Sequence, residues 1–162
     1  MGNCGFFGNY QKQVASEITV PFFGSSLLQI PMVLTTLGPD QKVGVLTADG
    51  SKLEVAPALE DCGVTDRDRI VIYGVENEPE AVNILNTTGH LNLQGLEEDL
   101  VNVAQRMLDD HPDVGAVVLE CTEFPPHAFA IQNAVRRPVW GFTTMANWIH
   151  SGLIRHQYTG WA

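Results

Sequence analysis

Two short segments, one near each end of the chain, carry the residue types best suited to chemistry. The first reads "NCGFFG" and places Cys4 three positions before Phe7. The second reads "ECTEFP" and places Cys121 three positions before Phe124. A thiolate is a base and a thiol is an acid, so two such cysteines can exchange protons with a substrate. The third cysteine, Cys62, has no matching segment and is predicted to be structural.

The two segments belong to an internal repeat. When the chain is shifted by 117 positions, four residue pairs are identical without a gap, namely Cys4/Cys121, Phe7/Phe124, Pro21/Pro138 and Gly24/Gly141. Each copy has a cysteine turn, an amphipathic helix, a strand that begins with proline, and a turn with glycine. Because rare residue types coincide in register, we interpret the match as a duplicated structural unit.

Short apolar runs predict buried parallel strands. Four of them lie at Val43–Thr47, Arg69–Val75, Val114–Glu120 and Pro138–Thr143, and a weaker fifth lies at Thr19–Gly24. Helical spacing of apolar residues predicts helices after Ser25, over Leu96–Asp109 and over Thr144–His156. Strands that alternate with helices indicate an α/β fold, with a parallel sheet flanked by helices.

The predicted elements give the two cysteines a common environment. Cys121 follows a strand at the carboxyl edge of the sheet, where open α/β folds bind ligands, and the next helix begins at Pro125 or Pro126. The helix dipole there is expected to lower the pKa of the thiol toward neutrality. By the repeat, Cys4 is expected to face Cys121 across a cleft between two lobes. One thiolate would remove an α-proton and the opposite thiol would return one, which is racemisation.

Four segments resemble a known family. The phrases "NCGFFGNYQ", "VPFFGSSLLQIPMV", "GPDQKVGVLTAD" and "VVLECTEFPP" are similar to the aspartate/glutamate racemase superfamily, in a branch without a characterised activity. The resemblance covers nearly the whole chain. It implies a racemase or isomerase that acts at the α-carbon of an acidic amino acid or related carboxylate, without a cofactor, in a cleft between two pseudo-symmetric α/β lobes.

The resemblance also implies roles for individual residues. Cys4 and Cys121 become the catalytic acid/base pair, and Thr47 and Thr122 become substrate contacts. Glu123 is expected to assist proton transfer. At the first cysteine the substrate contacts are the backbone N–H groups of Gly5 and Phe6. The hydroxyl of Ser26 is expected to cap a helix and is a further candidate contact, and neither a cofactor nor a metal is expected.

The family has strands and helices before its first cysteine, whereas this chain has three residues there. We therefore expect an incomplete first lobe at 1–40, a complete second lobe at 41–143, and a C-terminal helix and tail at 144–162 that pack back toward the first lobe. The alternative to an active racemase is a truncated remnant that binds a small carboxylate or has no catalytic activity. A thiol-redox protein is less favoured, because the chain has no Cys-x-x-Cys motif.

The net charge of the chain argues against two classes of binding partner. It has 9 basic and 19 acidic residues, a net charge of −10, and this field repels nucleic acid and anionic membranes. No apolar run reaches the roughly 18 residues of a spanning helix. The three separated cysteines favour reduced thiols in the cytoplasm. The expected partner is a small-molecule carboxylate, and assembly into a homo-oligomer stays open.

Overall fold

Four parallel strands form a single sheet in the computed structural model of the chain. The structure describes residues 1–2, 4–86, 89, 91–155, 157 and 160. The strands are β1 (Lys42–Thr47), β2 (Ile70–Gly74), β3 (Val114–Leu119) and β4 (Val139–Trp140), in the order β2-β1-β3-β4. The predicted α/β fold with a parallel sheet flanked by helices is confirmed.

Short 3₁₀ turns and eight α-helices surround the sheet within the described residues. The 3₁₀ turns are Gly5–Tyr10, Ser26–Gln29, Arg67–Arg69 and Pro125–His127. The helices are α1 (Gln11–Glu17), α2 (Ile30–Thr36), α3 (Gly50–Val55), α4 (Ala58–Asp61), α5 (Val82–Asn86), α6 (Leu93–Asp110), α7 (Ala128–Val135) and α8 (Phe142–Leu153). Among the described residues, none of these helices has the length and apolarity needed to cross a membrane.

The central strands are apolar because both faces of the sheet are covered. All six residues of β3 are buried, as are five of the six in β1. One face packs against α6 and α7 through a cluster that includes Leu100 and Ile131. The other face packs against α2, α3 and α4, where Ile30 and Leu53 are fully buried beside Val45. The sheet is therefore the shared core of the described chain.

The last strand is shorter than predicted. Pro138–Thr143 was expected to be a strand, but only Val139–Trp140 pairs with β3. Gly141 instead is the N-cap of helix α8, and its N–H donates to the hydroxyl of Thr144 at 3.0 Å. This helix ends at Leu153, before the predicted end, and His156 lies outside the described residues.

The expected strand at Thr19–Gly24 is wrong, because this segment pairs with no described strand. The carbonyl of Phe23 accepts from the N–H of Gly2 at 2.7 Å, and two further backbone groups bond to the buried side chain of Gln11. The Gln11 amide donates to the carbonyl of Phe22 at 2.9 Å, and its oxygen accepts from the N–H of Gly24 at 2.8 Å. One amide thus supplies the donor and the acceptor that a neighbouring strand would have supplied.

The two cysteine segments adopt the same local turn. The N–H of Phe7 donates to the carbonyl of Cys4 at 3.0 Å, and the N–H of Phe124 donates to the carbonyl of Cys121 at 3.2 Å. Each turn continues as a 3₁₀ turn and then an α-helix. The copies differ in packing, because Phe124 is fully buried whereas Phe7 is 45% exposed.

Helix α6 offers a matched test of the core. Leu100 is fully buried on the sheet, whereas Leu93 on the same helix is 64% exposed. Leu100→Ala should lower the free energy of unfolding by about 2–5 kcal/mol, because it leaves a cavity. Leu93→Ala should change it by less than about 0.5 kcal/mol. Urea denaturation followed by circular dichroism measures both, and equal losses would contradict the packing described here.

Candidate active site

The carboxyl ends of β1 and β3 lie side by side at the topological switch point of the sheet. The chain runs from β1 outward to β2 and then returns to β3 on the opposite side of β1. Crevices at such a switch point bind ligands in open α/β folds, because the connecting segments leave in opposite directions. Thr47 ends β1 and Glu120 follows β3, so their side chains meet at this point.

The Glu120 side chain lies at the switch point, and the residue is 2% exposed. Its Oε2 accepts from the hydroxyl of Thr47 at 2.9 Å and from the N–H of Ala48 at 3.3 Å. The backbone N–H groups of Gly5 and Phe6 also donate toward the carboxylate. Burial raises the pKa of Glu120 above its ordinary value, and these four donors oppose that rise.

The two cysteines lie on either side of this carboxylate. Cys4 is exposed and directly precedes the 3₁₀ turn whose first residue, Gly5, packs on Glu120. Cys121 directly follows Glu120 and is partly buried. Cys4 is near enough for its charge to act on the pKa of Cys121. The structure therefore brings both predicted catalytic residues to one edge of the sheet.

The expectation of a lowered pKa for Cys121 is wrong. Burial, with smaller contributions from the charges of Glu120, Glu123 and Cys4, raises the pKa of its thiol to about 12. The N–H of Glu123 opposes this rise. Desolvation is the largest cause of this shift. Cys121 is therefore a thiol at neutral pH in the free protein.

The predicted substrate contacts lie around the same point, but several already have partners. The donors of Gly5, Phe6 and Thr47 are directed at the Glu120 carboxylate. Ser26 donates its hydroxyl to the carbonyl of Leu119 at 2.8 Å. These donors therefore bind the protein itself in this structure.

The other two predicted contacts follow Cys121 on the turn before α7. Thr122 is partly buried and Glu123 is exposed. Within the described residues, no group of three or more His, Cys, Asp or Glu side chains could hold a metal ion.

Sequence reasoning missed the role of Glu120, which it treated as the last residue of a strand. The available signal was an acidic residue at the end of an apolar run, directly before a cysteine. It also missed Glu76, which accepts from the N–H of Gly50 at 3.1 Å at the same edge. Asp49 caps α3 by accepting from the N–H of Lys52 at 3.0 Å.

Cys62 lies in the core, as predicted for a structural cysteine. It is 3% exposed and packs under the Gly5–Tyr10 turn. Burial raises the pKa of its thiol to about 12.

Comparison with known sequences gives a different chemistry from the one predicted. No family model matches the chain. The chain is 33% identical over 153 residues to dimethylsulfoniopropionate lyase 6 and 32% identical over 153 residues to dimethylsulfoniopropionate lyase 3, both of Emiliania huxleyi. Each match covers 90% of this chain and 40% of the relative. A dimethylsulfoniopropionate lyase of Durusdinium sp. clade D is 26% identical over 155 residues, which are 94% of this chain and 51% of that protein.

Comparison with solved structures shows the fold. Glutamate racemase isoform RacE1 from Bacillus anthracis superimposes with a TM-score of 0.52 at 12% identity, over 93% of this chain and 56% of the racemase. The glutamate racemase from Thermus thermophilus in complex with beta-chloro-D-alanine gives 0.51 at 20% identity, over 95% of this chain and 57% of the racemase. The chain therefore has the glutamate racemase fold.

The predicted racemase or isomerase function is contradicted by the sequence relatives. Those relatives are lyases, whereas the racemases share the fold at low identity. The related alternative, a truncated racemase remnant, is overturned with it. The resemblance of the cysteine segments identified the fold correctly and the activity wrongly, because one fold supports several reactions.

The raised pKa of Cys121 makes thiol labelling at neutral pH selective. Iodoacetamide should modify exposed Cys4 first, because the other two thiols are buried and protonated. Peptide mass spectrometry over a time course measures the order. Cys62 is the matched control for a buried thiol, and modification of Cys121 as fast as Cys4 would contradict the described environment.

Proposed function

We propose that this chain forms the catalytic part of a lyase that cleaves dimethylsulfoniopropionate. The observation that carries the proposal is its likeness, over nine-tenths of its length, to dimethylsulfoniopropionate lyases. The chain spans about two fifths of the length of the Emiliania relatives. We therefore propose lyase activity for this chain on the basis of that partial match. The two cysteines beside Glu120 supply the groups that the reaction requires.

The substrate class defines the reaction. Dimethylsulfoniopropionate has a carboxylate, an adjacent carbon with acidic hydrogens, and a sulfonium on the next carbon. A base removes one hydrogen beside the carboxylate, and its electron pair forms a carbon–carbon double bond. The carbon–sulfur bond breaks, and its electron pair leaves with neutral dimethyl sulfide. The products are acrylate, dimethyl sulfide and a proton on the base, so atoms and charges balance.

This elimination differs from racemisation in how many proton-transfer groups it needs. Racemisation requires a group on each face of the carbon, because one removes the proton and the other returns it. Elimination requires one base, because departure of the leaving group completes the reaction. The unequal environments of Cys4, which is exposed, and Cys121, which is largely buried, suit a reaction in which the thiols have different roles.

The charge of the site favours a sulfonium substrate. Burial and the charges of Glu120 and Glu123 keep Cys121 protonated in the free protein. A cation within roughly 4–6 Å stabilises a thiolate, so a bound sulfonium lowers the pKa of Cys121. A larger fraction of the thiol then releases its proton to solvent, and the resulting thiolate is the base. A second carboxylate, as in aspartate or glutamate, would raise that pKa further. We assign proton removal to Cys121 and contact with the substrate carboxylate to Thr122.

Release of dimethyl sulfide by the 162-residue chain tests this proposal. Headspace gas chromatography and liquid chromatography should detect dimethyl sulfide and acrylate in equal amounts from dimethylsulfoniopropionate. Cys121→Ser should lower the rate by at least about 100-fold, the usual contribution of a general base. Cys4→Ser should lower it also, because Cys4 lies at the same edge.

Cys62→Ser is the matched control, since Cys62 is a buried core cysteine to which no proton transfer is assigned. It should keep the activity once any difference in thermal stability is taken into account. Absence of dimethyl sulfide from the unmodified chain would contradict the proposed function. Full activity of Cys121→Ser would contradict the assignment of the base.

A further inference from the structure

The Glu120 carboxylate joins parts of the chain that are far apart in sequence. Thr47 and Ala48 donate to it from the end of β1, and Gly5 and Phe6 donate from the first turn of the chain. All four partners are donors, which matches a carboxylate, because both of its oxygens are acceptors. Among the described residues, no Lys, Arg or His nitrogen forms an ion pair with it. Uncharged donors therefore hold this buried acid.

The contact between Gly5 and Glu120 leaves no room for a side chain on Gly5. A Cβ built there would collide with the Oε1, Cγ and Cδ atoms of Glu120. Cys4 directly precedes Gly5, and Cys121 directly follows Glu120. Cys4 and Cys121 are thus each adjacent in sequence to one residue of the same contact.

The rest of the N-terminal segment, residues 1–40, is held independently of Glu120. Ser26 donates to the carbonyl of Leu119, and Leu27 and Ile30 are fully buried in the core. Gln29 donates to the carbonyl of Gly141 at 3.0 Å. Removing the Glu120 carboxylate should therefore release the Cys4 turn while the segment remains packed.

We propose that Glu120 is a positioning residue that sets the separation of the Cys4 and Cys121 thiols, by binding the Cys4 turn to the carboxyl ends of β1 and β3. The inference deepens the proposed lyase function, because it explains how both thiols reach one substrate. Glu120 acts through the turn and does not itself touch the reacting atoms. Its carboxylate occupies donors that sequence reasoning assigned to the substrate, so the substrate carboxylate binds elsewhere at this edge.

Amide hydrogen exchange of the whole chain tests the contact without needing turnover. In Glu120→Ala, the amides of Gly5 and Phe6 should exchange at least about tenfold faster, since hydrogen bonds to charged groups contribute that much. Glu76→Gln is the matched control, because Glu76 accepts from Gly50 at the same edge and is not placed in the site. It should leave Gly5 and Phe6 unchanged, and unchanged exchange in Glu120→Ala would overturn the inference.

Cross-linking measures the thiol separation directly. In a Cys62→Ser background, a short rigid bis-maleimide should join Cys4 to Cys121, and Glu120→Ala should lower that yield relative to a long flexible bis-maleimide. Gly5→Ala should reproduce this effect, because its Cβ would collide with the Oε1, Cγ and Cδ atoms of Glu120 and so disrupt the same contact. Gly152→Ala is its control, since no atom lies within 4 Å of the added Cβ. An unchanged ratio in both Glu120→Ala and Gly5→Ala would overturn the inference.

Dimethyl sulfide release separates a positioning role from a purely structural one. Glu120→Ala should lower kcat by at least about tenfold and change KM less, because misplaced groups lose orientation more than binding. Unchanged kcat together with faster exchange would overturn the positioning role. If the unmodified chain releases no dimethyl sulfide, the lyase proposal fails, while exchange and cross-linking still decide whether Glu120 sets the thiol separation.

Discussion

The site depends on one buried carboxylate, that of Glu120, which has no cationic partner in the part of the chain that the structure describes. An isolated ionised carboxylate is costly to bury, and hydrogen bonds from several donors are the ordinary way to offset that cost. Glu120 receives such donors from two segments more than 70 residues distant in sequence. Because the donors belong to the start of the chain and to the end of β1, the same interaction that satisfies the charge also fixes the geometry of the crevice.

The carboxylate has a second consequence for the neighbouring thiol. Its charge adds to desolvation in raising the pKa of Cys121. A base that is protonated until a cation arrives is protected from unwanted oxidation and alkylation, because the thiolate is the reactive form. Under the proposed function the same arrangement would discriminate between substrates, since an anionic ligand would leave the thiol protonated. Under these proposals both positioning and selectivity come from one residue at the switch point of the sheet.

The sequence predicted the fold well because the strands carry a simple signal. Buried strands such as Val114–Leu119 are continuous apolar runs, and their alternation with helices predicts a parallel sheet. Thr19–Gly24 has a similar composition but pairs with no described strand. Composition alone could not reveal that the Gln11 side chain forms hydrogen bonds with the carbonyl of Phe22 and the N–H of Gly24. The repeat placed both cysteines at equivalent turns, and the turns are the same.

Prediction of the site failed where it depended on tertiary structure. The helix-start position of Cys121 suggested a lowered pKa, but desolvation by the folded chain acts in the opposite direction. The donors of Gly5 and Thr47 were expected to be available to a ligand, and Glu120 takes them. The activity was predicted from a resemblance to racemases, and the fold that this chain shares with glutamate racemases does not determine the reaction.

The central claim is that a sulfonium substrate converts the buried Cys121 thiol into the base. Its most direct test is the thiol pKa of Cys121 in a chain with Cys4→Ser and Cys62→Ser, read from thiolate ultraviolet absorbance. The ligand is a dimethylsulfoniopropionate analogue with both hydrogens beside the carboxylate replaced by methyl groups, and its control is the uncharged isostere with carbon in place of sulfur. The sulfonium analogue should lower the pKa from about 12 by about 1–3 units, as a neighbouring opposite charge does, so that the thiolate fraction at neutral pH rises about 10- to 1000-fold, and the isostere should leave the pKa unchanged. Equal pKa values with both ligands would contradict the claim.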